Sequence, residues 1–142
     1  MKLITRDTDY AIRAISCIAG AGRQELSVRD LTVQLGIPRP FLRKILQVLN
    51  KEGILHSQKG KGGGFSLAVR PEKITVHDLI VIFQGEFEIS EHVVTGNICP
   101  FIRSCYLKKK LDNAQDYLAR AMKSITVASL LRNSVGTWPE IK

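Results

Sequence analysis

The chain has 142 residues, a formal net charge of +8 at pH 7, 44% hydrophobic residues and three cysteines. That length suits one domain, or a compact domain with an oligomerisation arm, and the hydrophobic share is enough for a core. An odd cysteine count argues against a secreted disulfide framework, and Arg13 interrupts the first apolar stretch, so neither secretion nor a membrane span is expected and the cytoplasm is the expected compartment.

In chain order, a short strand or arm is expected over Lys2 to Thr5. A helix follows from about Asp7 to Ala21, with Tyr10, Ala11, Ala14, Ile15 and Ile18 inward and Cys17 beside that stripe as a small buried residue. Ser27 with Asp30 is a capping-box start for a second helix, on which Val28, Leu31 and Leu35 recur until Gly36 closes it. Gly36-Ile37-Pro38 makes a turn, and Pro38 or Pro40 suits the first turn of the helix after it. At 100° per residue, Phe41, Leu42, Ile45, Val48 and Leu49 share one side of that helix, while Arg39, Arg43, Gln47 and Asn50 lie within about 80° on the other. The first side anchors and the second reads: Arg pairs bidentately with guanine, and Gln or Asn with adenine, in a major groove wide enough to admit a helix. A solvated surface helix carries the same pattern, so the helix alone leaves both readings open.

Short strands are expected at Ile54 to Ser57 and Phe65 to Ala68, around the turn Gln58-Lys59-Gly60-Lys61-Gly62-Gly63-Gly64. Glycines here supply positive φ and let backbone N–H groups approach a phosphate or a minor groove, while the two lysines supply charge. A nucleotide-binding phosphate loop is excluded, because Gly60 is not followed at the required spacing by Gly-Lys-Ser/Thr and no helix opens directly after the glycines. A merely flexible hairpin would not ask for two lysines among four glycines. Between Pro38 and Gly64 six cations (Arg39, Arg43, Lys44, Lys51, Lys59, Lys61) stand against one acid, Glu52, so five of the eight net charges lie there. That is the footprint of a phosphate-backbone partner. A membrane surface is not expected, since no basic amphipathic helix with an exposed aromatic or leucine face accompanies it.

Beyond the hairpin, Thr75 caps a helix through Phe83, with Val76, Leu79, Ile80 and Phe83 on one stripe and His77 on the solvated side. From Ile74 to Ile102 there is no Lys or Arg, whereas Asp78, Glu86, Glu88 and Glu91 are present, so a neutral-to-acidic loop carrying His92, Cys99 and Pro100 separates two basic regions. Leu107, Leu111, Ala114, Leu118, Ala121, Ile125 and Ala128 then follow 4-3 spacing, an unbroken heptad seam on a helix of about 25 residues or about 38 Å. Such a seam exceeds what one small domain needs, and it reads as a dimer helix rather than one lying across the winged domain. Residues after Arg132 read as a frayed tail with Trp138 docking locally, and no internal repeats are evident.

The expected fold is mostly α with a small β-wing: a winged helix-turn-helix DNA-binding domain at 1–85, a sensor or cofactor loop at 86–105, a dimerisation helix at 106–132 and a tail at 133–142. Candidate DNA contacts are Ser27, Arg39, Pro40, Arg43, Lys44, Gln47, Lys59, Gly60, Lys61, Gly62 and Gly63. An enzyme is not expected, because His56, His77 and His92 fall on different elements and no nucleophile–base or metal-hydrolase spacing occurs. A protein-interaction winged helix would place aromatics where Arg39, Arg43 and Gln47 stand.

The segments MKLITRDTDYAIRA, IPRPFLRKILQVLNKEGILHSQKGKGGGFSLA and CPFIRSC before the long helix resemble the Rrf2 family of bacterial winged-helix regulators, of the IscR, NsrR and CymR type, from Met1 to about Leu131. The resemblance implies a cytoplasmic homodimeric transcription regulator, a repressor, that binds a palindromic or pseudo-palindromic operator in double-stranded DNA through its second helix and wing. Some members of that family sense through an iron-sulfur cluster held by cysteines at C-x5-C-x5-C spacing and a fourth ligand from elsewhere. Here Cys99 and Cys105 keep two of those places, Val93 stands at the first, and Lys108 stands where some members use a histidine. Asp9 matches an aspartate that in nitric oxide-sensing relatives reaches the partner subunit's cluster, and His92 neighbours the missing cysteine. What this implies is a cluster or zinc site at Cys99, Cys105, Asp9 and His92, responding to redox state, iron-sulfur status or nitric oxide. Against it stand a cofactor-free regulator, a reversible Cys99–Cys105 dithiol switch, and plain roles for Asp9 as an N-terminal helix acid and His92 as a loop residue.

Overall fold

A computed structural model describes residues 2–89 and 99–133; His92, Val93 and Trp138 lie outside the described residues. The element order is α1 (Arg6–Gly20), α2 (Val28–Leu35), α3 (Arg39–Lys51), β1 (Leu55–Gln58), β2 (Gly64–Leu67), a single 3₁₀ turn (Pro71–Lys73), α4 (Val76–Gln84), α5 (Tyr106–Ser124) and α6 (Val127–Asn133). Lys2 to Thr5 forms no strand. Thr5 instead precedes α1 as its N-cap residue, and the Thr5 N–H and the buried Thr8 hydroxyl both donate to Gln84 Oε1, at 3.0 and 2.7 Å. The arm is therefore held by the end of α4, because two local donors find a side-chain acceptor there and no sheet edge.

Helix α1 is the hub. Ala11, Ala14, Ile15 and Ile18 are fully buried, and the helix packs against α3, α4 and α6, while Tyr10 is half-buried. Cys17 is buried as expected; its thiol donates to Gln34 Oε1 at 2.6 Å, and burial raises its pKa. Helix α2 opens on the Ser27–Asp30 capping box and closes at Gly36, whose φ of +65° is the left-handed conformation glycine adopts without strain. Pro38 is the N-cap residue of α3 and Pro40 sits in its first turn.

Strands β1 and β2 pair antiparallel from Leu55↔Leu67 to Gln58↔Gly64. Leu26, just ahead of α2, adds a rung by exchanging both backbone hydrogen bonds with Phe65, at 2.8 and 3.0 Å. This close approach explains Gly64. A Cβ there would lie 2.4 Å from the Leu26 carbonyl oxygen, and one on Gly63 would lie 2.2 Å from the Gln58 carbonyl oxygen. Between the two strands, positive φ falls at Gly60 and Gly62.

Helix α4 also opens on a capping box, Thr75 with Asp78. His77 is half-buried, with its ring 6.0 Å from that of Phe87, and is not simply solvated. The unbroken helix expected from the heptad seam does not form. Helix α5 stops at Ser124, Ile125 is extended, and Thr126 bridges Thr75: the Val76 N–H donates to the Ile125 carbonyl and the Val127 N–H to the Ile74 carbonyl, both at 2.9 Å. The two paired segments are the same tripeptide, Ile-Thr-Val, a short repeat where none was expected. β-branched residues favour extended backbone, and each threonine caps the helix after it, Thr126 and Ser129 reciprocally at 3.0 Å. Val127 is fully buried in the common core and α6 packs on α1. Gly64→Ala is expected to cost about 1–3 kcal/mol, read as a lower urea midpoint, because backbone must shift. Gly20→Ala, whose Cβ would meet only Leu131 at 3.9 Å, serves as the tolerated control; equal midpoints for the two variants would contradict the close-approach account.

Candidate nucleic-acid interface

The phase of α3 decides which side chains it presents. Leu42, Ile45, Leu46 and Leu49 are buried to 1% exposure or less, an i, i+3, i+4, i+7 stripe. The sequence expectation included Phe41 and Val48 in this stripe and omitted Leu46; in the structure Phe41 is 49% exposed and Val48 half-buried. Burying Leu46 turns the helix so that Pro40, Lys44, Gln47 and Lys51 run along its outer line with Arg43 beside them. Arg39 is exposed in the first turn, and Asn50, expected on the reading face, is half-buried at its flank.

Cations dominate this surface, with Asp7 brought to α3 and Glu25 to the base of the wing from other parts of the chain. Lys44 Nζ lies 3.8 Å from Asp7 Oδ2 of α1, an exposed pair of the weak kind. On the wing, Lys59, Gly60, Lys61 and Gly62 are exposed and Gly63 is half-buried, and at its base the Gln58 amide donates to the Glu25 carboxylate at 2.6 Å. Ser27 is occupied by its cap: its hydroxyl donates to Asp30 Oδ2 at 2.6 Å and accepts the Asp30 N–H at 3.1 Å. The Ser27 side-chain and backbone donors hold the Asp30 carboxyl below its ordinary range. The cap thus favours the carboxylate; its contribution is present at neutral pH and is lost as pH falls through the lowered pKa. Ser27 N would lie 2.9 Å from a Cβ on Gly64, so the start of α2 abuts the root of the wing.

The thiols stand apart from this surface in a different setting. Cys99 is exposed, and Cys105 is the N-cap residue of α5, its Sγ accepting the Lys108 N–H at 3.4 Å. Arg103, Lys108 and Lys109 line a groove with Cys105, together with Asp112, which pairs with Lys108, so the cation-free surroundings expected of the cysteine loop end before this thiol. Asp9 sits in the first turn of α1 and pairs with Arg13 at 3.0 Å. Among the described residues no group of three or more His, Cys, Asp or Glu is placed to hold a metal ion. The described donors of one chain therefore do not fit an iron-sulfur or zinc site.

Helix α5 buries none of its residues fully. It packs against α4, and Leu118 shares a cleft with Ile80 and Gln84. Leu111, Leu118 and Met122 are half-buried, whereas Tyr106, Leu107 and Tyr117 are 72%, 58% and 68% exposed, with Ala114 open between them. The heptad seam is thus split between the helix's own domain and an open apolar face.

Among the described residues no helix is long and apolar enough to cross a membrane. The family model described as "Rrf2: Iron-dependent Transcriptional regulator" matches residues 4–133. The protein rrf2 of Nitratidesulfovibrio vulgaris is 32% identical over 135 residues, covering 94% of this chain and 89% of that protein. The HTH-type transcriptional repressor NsrR of Streptomyces coelicolor is 27% identical over 135 residues, covering 94% and 90%. Among solved structures, CymR, the global cysteine regulator of B. subtilis, superposes with a TM-score of 0.76 at 21% identity, over 94% of this chain and 99% of that one.

Proposed function

The chain belongs to the Rrf2 family and is a DNA-binding transcriptional regulator rather than an enzyme, and from that premise we propose that it is a cytoplasmic homodimeric repressor of a palindromic operator, read by α3 and the wing. The observation that carries this reading is the buried stripe of α3, which leaves Pro40, Arg43, Lys44 and Gln47 outward near the start of the helix. Base edges are met by residues near the start of a recognition helix. Arg43 and Gln47 are the base readers, and Lys44, Lys59 and Lys61 hold phosphates. Site selection from random duplexes is expected to give one preferred sequence for the wild type. Arg43→Ala should lose about 1–3 kcal/mol on it and relax preference at one base pair per half-site. Lys59→Ala and Lys61→Ala should weaken binding to all sequences, each reducing the slope of log affinity against log salt by about one. Equal affinities and identical enriched sequences for wild type and Arg43→Ala would contradict the assignment.

Dimerisation in this reading uses the open face of α5, centred on Leu107, Ala114 and Tyr117, because Leu118 shares a cleft with its own domain and Leu111 is half-buried. Tyr117→Asp is expected to sediment as a monomer at micromolar concentration and to bind a palindromic site far more weakly, since two half-sites need linked readers. A wild-type monomer under the same conditions would overturn the dimer.

The signal acts on Cys99 and Cys105. With Cys99 exposed and Cys105 the N-cap residue of α5, the two thiols are read as a dithiol that hydrogen peroxide oxidises to a disulfide, two electrons cleaving the O–O bond and the two thiol protons leaving in the two waters formed. Anaerobic treatment with diamide is expected to change operator binding of the wild type and not of Cys99→Ser/Cys105→Ser. An unchanged response in that variant contradicts the assignment. Bound iron and sulfide after anaerobic reconstitution, with visible absorption that Cys105→Ala abolishes, would replace the dithiol with a cluster.

A further inference from the structure

We propose that Phe41 recognises the methyl group of a thymine in the major groove; the inference rests on the reading of α3 as the base-contacting helix. Phe41 is the one large apolar side chain of α3 that is exposed, at 49%, and it lies in the first turn. The other large apolar residues of the helix form the buried stripe or, as Val48, are half-buried. Among the described residues Phe41 belongs neither to the core nor to the apolar side chains packed against it, and its solvated phenyl face leaves apolar area in water that a matching apolar group would remove from it.

The surroundings narrow the partner. Arg39, Arg43 and Lys44 are exposed on the same two turns, and Pro40 beside Phe41 has no backbone N–H to offer. The feature is an apolar spot set among cations, and its complement is an apolar spot set among anions. On duplex DNA the groove-facing group of that kind is the thymine C5 methyl, flanked by the phosphates that the neighbouring cations would hold. A donor–acceptor contact is excluded on the side of Phe41, so the information it takes from the base is the methyl alone. Phe41 thereby tells thymine from cytosine at a position that Arg43 and Gln47 do not read.

The test uses the full-length protein and the duplex obtained by site selection, with each thymine of the half-site replaced in turn by deoxyuridine, in both half-sites together. This removes the methyl and keeps the pairing. The wild type is expected to lose about fourfold in affinity per half-site at one thymine, the value of burying one methyl-sized group. Phe41→Ala should bind the thymine duplex more weakly and not distinguish it from the deoxyuridine duplex at that position. Phe41→Leu and Arg43→Ala should both retain the distinction, the first because it keeps apolar contact and the second because it acts elsewhere. Selective binding with no loss at any deoxyuridine position overturns the role of Phe41 and leaves the reader helix standing, as does a Phe41→Ala variant that still discriminates. A wild type that enriches no sequence at all overturns the reader helix and this inference together.

Discussion

Everything outward in this protein depends on one inward constraint, the burial of Leu42, Ile45, Leu46 and Leu49 on α3. Each such side chain contributes about 1.5–3 kcal/mol when withdrawn from water. Rotating α3 by even one residue's angle would expose part of the stripe, so the helix has one phase. The hub against which it packs is α1, whose Ala11, Ala14, Ile15 and Ile18 are fully buried. The proposed reading face, with Arg43 and Gln47 outward and Asn50 drawn to the flank, follows from that phase and not from any property of the polar residues themselves.

Two backbone tethers then fix what the core alone does not. Leu26 and Phe65 exchange both hydrogen bonds, which fastens the wing to the start of α2 through a contact that only a glycine at position 64 permits. The paired Ile-Thr-Val segments fasten the end of α5 to the start of α4, so that Val127 completes the core. Helix α5, between the loop that carries the thiols and this second tether, has no fully buried residue, and the proposed dimer and signal both act on it. Ile74 and Val127, both buried to 1% exposure or less, join this tether to the same core that α1 and α3 share.

Much of the fold was legible because its signals are local. The Ser27–Asp30 capping box and the Thr75 cap both formed as read, and Asp78 completes a second box at Thr75, since each needs only a hydroxyl and a carboxylate three residues apart. The strands of the wing lie within one residue of expectation. Other features depend on contacts between distant parts of the chain. The 4-3 spacing runs on through Ile125 and Ala128 although the helix does not, because periodicity counts apolar residues and is blind to a strand pairing fifty residues away; the β-branched tripeptide with Ser129 three residues after Thr126 was the signal for the break. Phe41 was counted inward because the expected stripe left out Leu46; with Leu46 buried the stripe turns away from Phe41. The cysteine loop read as free of cations because the count ended at Ile102, whereas in space Arg103, Lys108 and Lys109 share a groove with Cys105.

The most direct test of the central claim, that α3 and the wing together form the DNA-binding surface, is a titration of the backbone amide resonances of the isotope-labelled protein with its selected duplex. The account predicts that shifts concentrate at Ser27, along residues 38–51 and at residues 58–64, and that the exposed face of α5 from Tyr106 to Tyr117 stays unchanged. Shifts centred on α5 with the wing and the first turns of α3 unaffected would contradict it.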